Sequence, residues 1–350
     1  MSPRRVVRRA AVAATLLLAA CGGATTGPPA RVVVPPGATF AQVAESLAAN
    51  DVVGSAFLFR LRARLQGVDK KVFAGVYEFP RGISAGEVLR QLSEGKVAAR
   101  RFTVPEGMTM FEIAGLAESR LGVPADSVLG AARDRALIDS LGLPGPTLEG
   151  YLWPDTYLLA PDVAAGELVR VMVRGFVAAW DSSWRRPLDS LGLSRHQLLA
   201  MASIVEGEAR VDEERATIAG VYYNRLRRGM PLQADPTVQY AISMRTGERK
   251  PRLYEKDYRI ESPWNTYRNP GLPPGPVNSP GRESIEAALR PAAVPWYYFV
   301  ASPNGRHTFT RTYDEHLRAV ARARRETRAA EASRPADGAG RQADGVKGGN

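Results

Sequence analysis

The chain has 350 residues, of which 45% are hydrophobic and 24% charged, with a formal net charge of +11. That is too long for one small module and fits two domains with flexible ends. The basic excess suits an anionic partner, but no dense Lys/Arg block with interleaved aromatics, helix-turn-helix or RNA-binding signature occurs, so nucleic acid ranks below a membrane surface or an acidic polysaccharide.

Arg4, Arg5, Arg8 and Arg9 precede the apolar run Ala10–Ala20. Eleven residues are too few to span a bilayer, so the run reads as the core of a signal peptide. It ends in Leu18-Ala19-Ala20-Cys21-Gly22, which resembles a bacterial lipobox. Cys21 is the chain's one cysteine and forms no internal disulfide. Residues 1–21 are thus expected to be a lipoprotein signal with Cys21 lipidated, a membrane anchor that leaves the rest of the chain extracytoplasmic. Residues 22–31, rich in Gly, Thr and Pro, read as a tether.

An internal echo follows: Val34-Pro35-Pro36-Gly37-Ala38-Thr39 and Val104-Pro105-Glu106-Gly107-Met108-Thr109. Each opens an apolar helical pattern with its threonine as N-cap. Between them, Gly75–Phe79 alternates as a strand, and Ser84 with Glu87 has capping-box spacing. Residues 32–101 are therefore expected to form a small strand–helix–helix–strand unit, similar to the glycan-binding LysM module. A helical connecting region with Gly/Pro breaks is expected over 102–147. Leu148-Glu149-Gly150-Tyr151-Leu152-Trp153-Pro154-Asp155-Thr156-Tyr157 then combines aromatics that stack on sugar rings with two acids. The same composition suits a core strand with a turn at Pro154-Asp155. A helix is expected over Ala164–Trp184.

Leu198–Arg210 is an apolar helix-former ending in Glu206-Gly207-Glu208. Leu198, Met201, Ala202, Val205 and Ala209 keep the three-and-four spacing of a buried stripe. Glu208 falls on that stripe. Glu206 falls with Leu199, Ser203 and Arg210, and is expected to be structural or supporting, paired with Arg210. A carboxyl on an apolar face loses hydration, so its pKa rises and it can hold a proton near neutrality. Two solvated carboxylates at a helix end are the alternative.

Glu213–Arg228 continues as a helix with Gly229 closing it. At Asp235-Pro236, Asp235 is expected as an N-cap with Pro236 at the first helical position, which explains it structurally. Gln233 has no such explanation. Gly271–Gly281 is a Pro/Gly-dense loop suited to a groove wall. Ser284–Ala292 reads as a helix, and Trp296–Val300 pairs with His307-Thr308-Phe309 across Asn304-Gly305. The catalytic part is bounded at 148–322. Residues 323–350 lack apolar periodicity, and a disordered tail is expected, clearest from Arg325.

No thiol remains once Cys21 is lipidated, and the histidines lack metal-ligand spacing. No Gly-x-Ser-x-Gly elbow or P-loop occurs. What remains is carboxylate acid–base chemistry of the glycoside type, with no metal and no cofactor expected.

Glu149-Gly150, Trp153-Pro154-Asp155-Thr156, Ala202–Glu208, Tyr223-Asn224-Arg225-Leu226, Leu232–Val238, Asn265-Thr266-Tyr267, Gly271–Gly275 and Tyr298-Phe299-Val300 together resemble the endolytic murein transglycosylase family. The resemblance runs in order from about Val32 to Val320. It implies an α+β fold, with a LysM-like βααβ subdomain followed by a mixed helical and β catalytic domain. It implies cleavage within nascent peptidoglycan strands, leaving 1,6-anhydro-N-acetylmuramic ends, and it puts the catalytic glutamate at Glu208. Gln233, Asn265 and Tyr267 are the expected sugar-holding residues, with Glu149 and Asp235 as further candidates. Glycan strands and the membrane are the expected partners, peptidoglycan synthases candidate ones. That family usually carries an N-terminal transmembrane helix, where this chain has a lipobox-like sequence. A lysozyme-type hydrolase, with Glu149 or Asp235 as second carboxylate, and a non-catalytic glycan-binding lipoprotein are the competing readings.

Overall fold

The computed structural model describes residues 27–35, 37–69 and 72–332; the expected signal segment with Cys21 and the chain beyond 332 lie outside the described residues. The elements run β1 (Ala30–Val34), α1 (Phe40–Ala49), α2 (Ala56–Leu65), β2 (Gly75–Phe79), α3 (Ala85–Glu94), β3 (Arg100–Thr103), α4 (Met110–Leu121), α5 (Ala125–Ala132), α6 (Arg135–Ser140), β4 (Thr156–Leu159), α7 (Ala165–Ala179), α8 (Arg185–Leu191), α9 (Arg195–Glu208), α10 (Arg215–Arg227), α11 (Asp235–Thr246), α12 (Arg282–Leu289), β5 (Tyr298–Ala301), β6 (His307–Thr310) and α13 (Tyr313–Ala332). Helices with three two-stranded sheets make the chain α+β, as the sequence predicts. The described residues form two compact units, 27–102 with 157–163, and 103–156 with 164–332.

In the first unit, β1 and β2 pair antiparallel in the register Ala30↔Phe79 to Val34↔Gly75. The alternation of β1 sends Ala30, Val32 and Val34 inward, and Val32 and Val34 join Val43, Ala44 and Leu47 of α1 in one core. Thr39 caps α1 in a reciprocal box with Gln42. The two helices between the strands are α1 and α2, whereas the Ser84-capped helix is α3 and follows β2. The sequence hides α2 because its apolar residues lie all round it: Phe59 and Ala63 enter the core, while Phe57, Leu58, Leu61 and Leu65 face outward.

In the second unit, Thr109 and Glu112 form the capping box that starts α4. Residues 103–147 belong to this unit, with α5 packed between α4 and α7. Helix α9 lies at its centre, every residue from Leu198 to Val205 being buried. The loop 271–281 is a buried strap across α9 and not a groove wall, because its backbone needs partners: Ser203 Oγ accepts from Val277 N at 3.0 Å, and Asn278 Nδ2 donates to Ser203 O at 2.8 Å. β5 and β6 pair antiparallel, Tyr298↔Thr310 to Ala301↔His307. The tail is corrected as well, since α13 continues to Ala332, so residues 325–332 are helical. Ala, Arg and Glu prolong a helix by propensity without an apolar stripe.

Candidate active site

Glu208 is the last residue of α9, and the next residue, Ala209, leaves helical geometry with φ −67° and ψ 128°. The carboxyl accepts a hydrogen bond from Tyr222 Oη of α10 at 2.8 Å. Burial raises its pKa to about 7, and the charge of Asp235 pushes the same way, while Tyr222, the Asp235 backbone and Arg225 pull it down. Arg225 is itself buried, with Nε on Tyr297 O at 2.7 Å and Nη1 on Leu232 O at 2.6 Å. A carboxylic acid therefore sits at the end of a rigid helix, beside one carboxylate and one guanidinium.

Asp235 reaches Glu208 because α9 and α11 meet without a side chain between them. A Cβ added at Gly207 would stand 2.5 Å from Pro236 Cγ and 2.7 Å from Pro236 Cβ. Asp235 is not the N-cap of α11; Ala234 holds that position, with no side-chain cap bond. The Asp235 carboxylate instead accepts from Tyr267 Oη at 2.7 Å and Tyr258 Oη at 3.4 Å. Those two rings lie 4.6 Å apart, centroid to centroid. Burial pushes the Tyr258 hydroxyl up to about 12 and raises that of Tyr267 further, so both are donors at neutral pH.

Gln233 has φ +51°, a left-handed conformation that is costly for a residue with a side chain. Its N–H donates to Thr266 O at 3.1 Å, and Ala234 N donates to Thr266 Oγ1 at 3.0 Å. These bonds tie the start of α11 to the segment carrying Tyr267, and the Gln233 side chain is exposed.

Four expectations are corrected. Asn265 is 0% exposed and spends its side chain on the backbone: Nδ2 donates to Tyr258 O and Ile260 O, and Oδ1 accepts from Tyr267 N, so it shapes the tyrosine loop instead of touching sugar. Glu149 is 2% exposed, with both carboxyl oxygens on Met110 N at the start of α4, at 3.2 and 3.0 Å. It satisfies a helix N-terminus and is not on a sugar face. Glu206 pairs with Arg215, at 3.2 Å, and not with Arg210, which is exposed beyond the helix end. Its Oε2 also accepts from Gly281 N at 3.1 Å, linking α9 to α12. The stripe on α9 does not separate the glutamates either, because Leu199 and Ser203 are as buried as Leu198 and Val205. What separates them is the partner, a cation for Glu206 and a hydroxyl for Glu208.

Tyr222 and Tyr258 had no sequence signal of a role. Arg225 lay within a motif quoted above, but without a partner to show what it did. Among the described residues, no group of three His, Cys, Asp or Glu side chains could hold a metal.

Burial raises the Glu149 pKa to about 8, against the pull of the Met110 N–H. The folded state thus keeps a proton that the unfolded chain sheds above about pH 4.5, so this group's contribution to stability falls as pH rises from there through 8. Glu149→Gln, a neutral isostere, is expected to melt like wild type at pH 5. At pH 8 it should exceed wild type by ~2–4 kcal/mol, several degrees in Tm. Parallel pH–Tm curves for the two proteins would show instead that the carboxyl is hydrated.

The geometry brings a carboxyl of raised pKa together with a second carboxylate and three tyrosine hydroxyls. The chain belongs to the YceG-like family, which matches residues 32–322. It is 34% identical over 302 residues to the endolytic murein transglycosylase of Bacillus subtilis, covering 82% of each chain. The endolytic murein transglycosylase of Streptococcus pneumoniae is 30% identical over 321 residues, and this chain spans 57% of its length. A crystal structure of a yceG-like protein from Listeria monocytogenes has a TM-score of 0.57 at 32% identity, covering 82% of this chain and 98% of that one.

Proposed function

We propose that this protein is an endolytic lytic transglycosylase of peptidoglycan, cutting the bond between N-acetylmuramic acid and N-acetylglucosamine inside nascent glycan strands. The observation that carries the reading is the carboxyl of the half-buried Glu208, which Tyr222 Oη holds and whose pKa is raised to about 7. Glu208 gives its proton to the bridging oxygen as the muramic C1–O bond breaks, and C1 takes on oxocarbenium character. The sugar's own C6 oxygen then bonds to C1. Its proton returns to Glu208, which leaves a 1,6-anhydro end and a reset acid. No water enters the balance, so one carboxylate suffices. Tyr267 keeps Asp235 beside the acid, where that charge favours the protonated form. Gln233 holds the sugar, its side chain exposed beside Asp235.

Asp235 is also a second carboxylate near the acid, the one feature that favours hydrolysis. Its oxygens already accept hydrogen bonds from two tyrosines, which compete with a water for them. Weighing the fragments released from uncrosslinked strands separates the reactions. Anhydro ends, with no added mass of water, are expected; products heavier by one water would overturn the reading. We further propose that the first unit is a LysM-like module that grips the glycan, and that Cys21 carries a lipid anchor. Peptidoglycan synthases that extend the same strands are proposed as partners.

A further inference from the structure

We propose that helix α2 is a membrane-surface element, lying lengthwise against a bilayer that contains anionic lipid. Phe59 and Ala63 fasten it to the core of the first unit. On the opposite face Phe57 is 69% exposed, Leu58 63%, Leu61 47% and Leu65 81%. At 100° per residue these four fill an arc of about 100° centred away from the core. Arg60 and Arg64 border that arc on one side and Arg62 on the other, and the ten-residue helix carries no acid. An apolar ridge edged by cations is the form of an interfacial helix: the ridge enters the acyl boundary, and the arginine stems run up its flanks to phosphate headgroups.

Charge selects lipid over a second copy of this chain. Two such helices face to face would set six arginines against one another, whereas an anionic surface neutralises all three. Each arginine near such a surface strengthens association roughly fivefold. Chain length agrees. In sequence, Cys21 stands six residues before Gly27, a span of about 20 Å at most, so any hold on the membrane through that segment keeps the first unit within reach of the surface.

The test uses the full chain carrying Cys21→Ala, which removes the lipid site and leaves no other cysteine. Leu61→Cys then takes a single environment-sensitive fluorophore, and Asp126→Cys on exposed surface of the second unit serves as control. Vesicles of phosphatidylglycerol with phosphatidylethanolamine should blue-shift the probe at 61 and leave that at 126 unchanged. Leu58→Gln with Leu65→Gln should lower the bound fraction of the 61 probe at least tenfold. Arg60→Gln with Arg64→Gln should lower it roughly 20-fold on anionic vesicles and little on neutral ones. At saturating soluble glycan strands all these variants should keep the wild-type kcat, because Glu208 lies in the second unit, so a failure here leaves the proposed reaction intact. The proposal is overturned if the 61 probe stays in water on vesicles that the protein coats, or if its shift is equal on neutral vesicles. A shift without vesicles that grows with protein concentration also overturns it, in favour of self-association.

Discussion

Glu208→Gln is expected to lower turnover of glycan strands by ~10²–10⁴-fold, with the fold intact. The amide still accepts from Tyr222 Oη, so the packing at 2.8 Å survives while the transferable proton is lost. In the wild-type enzyme kcat/KM should fall as pH rises through about 7, where the acid ionises in the free protein. Glu206→Gln should behave differently. It removes one of the two anions on Arg215, 13% exposed, which keeps Asp212 at 3.1 Å and Ser284, so stability falls first, by roughly 1–3 kcal/mol, and turnover follows. Wild-type turnover in Glu208→Gln, with loss in Glu206→Gln, would move the acid two residues and refute the assignment. Melting curves beside the rates keep the two effects apart.

Gly207→Ala should be the most damaging single methyl group in the site. Helix propensity alone favours alanine by about 1 kcal/mol. The added Cβ would stand 2.5 Å from a Pro236 ring carbon, and proline has no flexible end that can swing away. Overpacking of this kind costs ~1–3 kcal/mol, so the clash outweighs the propensity. Relief requires α9 and α11 to separate, which carries Asp235 away from Glu208. A displacement near 1 Å typically costs ~10²-fold in rate. Stability should thus fall modestly and turnover steeply, with the alkaline limb of the pH profile moving to lower pH as the Asp235 charge recedes. An active Gly207→Ala enzyme with an unshifted profile would mean that the contact between the helices does not set the acid.

Local signals in the sequence carried far. Thr39, Ser84 and Thr109 cap where their spacing predicts, and the strand Gly75–Phe79 and the hairpin around Asn304-Gly305 fall where turn chemistry puts them. For Glu208 the apolar neighbours one turn away agree with its raised pKa, but they are matched around Glu206, so the pattern alone does not choose between the two. The residues around Glu208 were not legible. Asp235 reads as a cap in one dimension, and only the fold of the 258–267 segment onto α11 gives its carboxylate the two tyrosines as partners. Asn265 reads as a sugar ligand until its three bonds to nearby backbone use up the side chain. Glu149 reads as a site acid because the sequence does not show that Met110, 39 residues earlier, needs an acceptor. Helix α2 was missed for the opposite reason: its pattern has two apolar faces, and periodicity detects only one.

Glu208 closes its helix, so the carbonyl groups of the last turn present the negative pole of the macrodipole near the acid. That pole, like desolvation, opposes ionisation, and neither depends on a mobile counter-ion. Added salt screens exposed charge pairs but leaves desolvation and fixed backbone dipoles largely untouched. An acid poised in this way keeps its working range through swings in osmolarity, a useful property for an enzyme whose substrate lies outside the buffered cytoplasm.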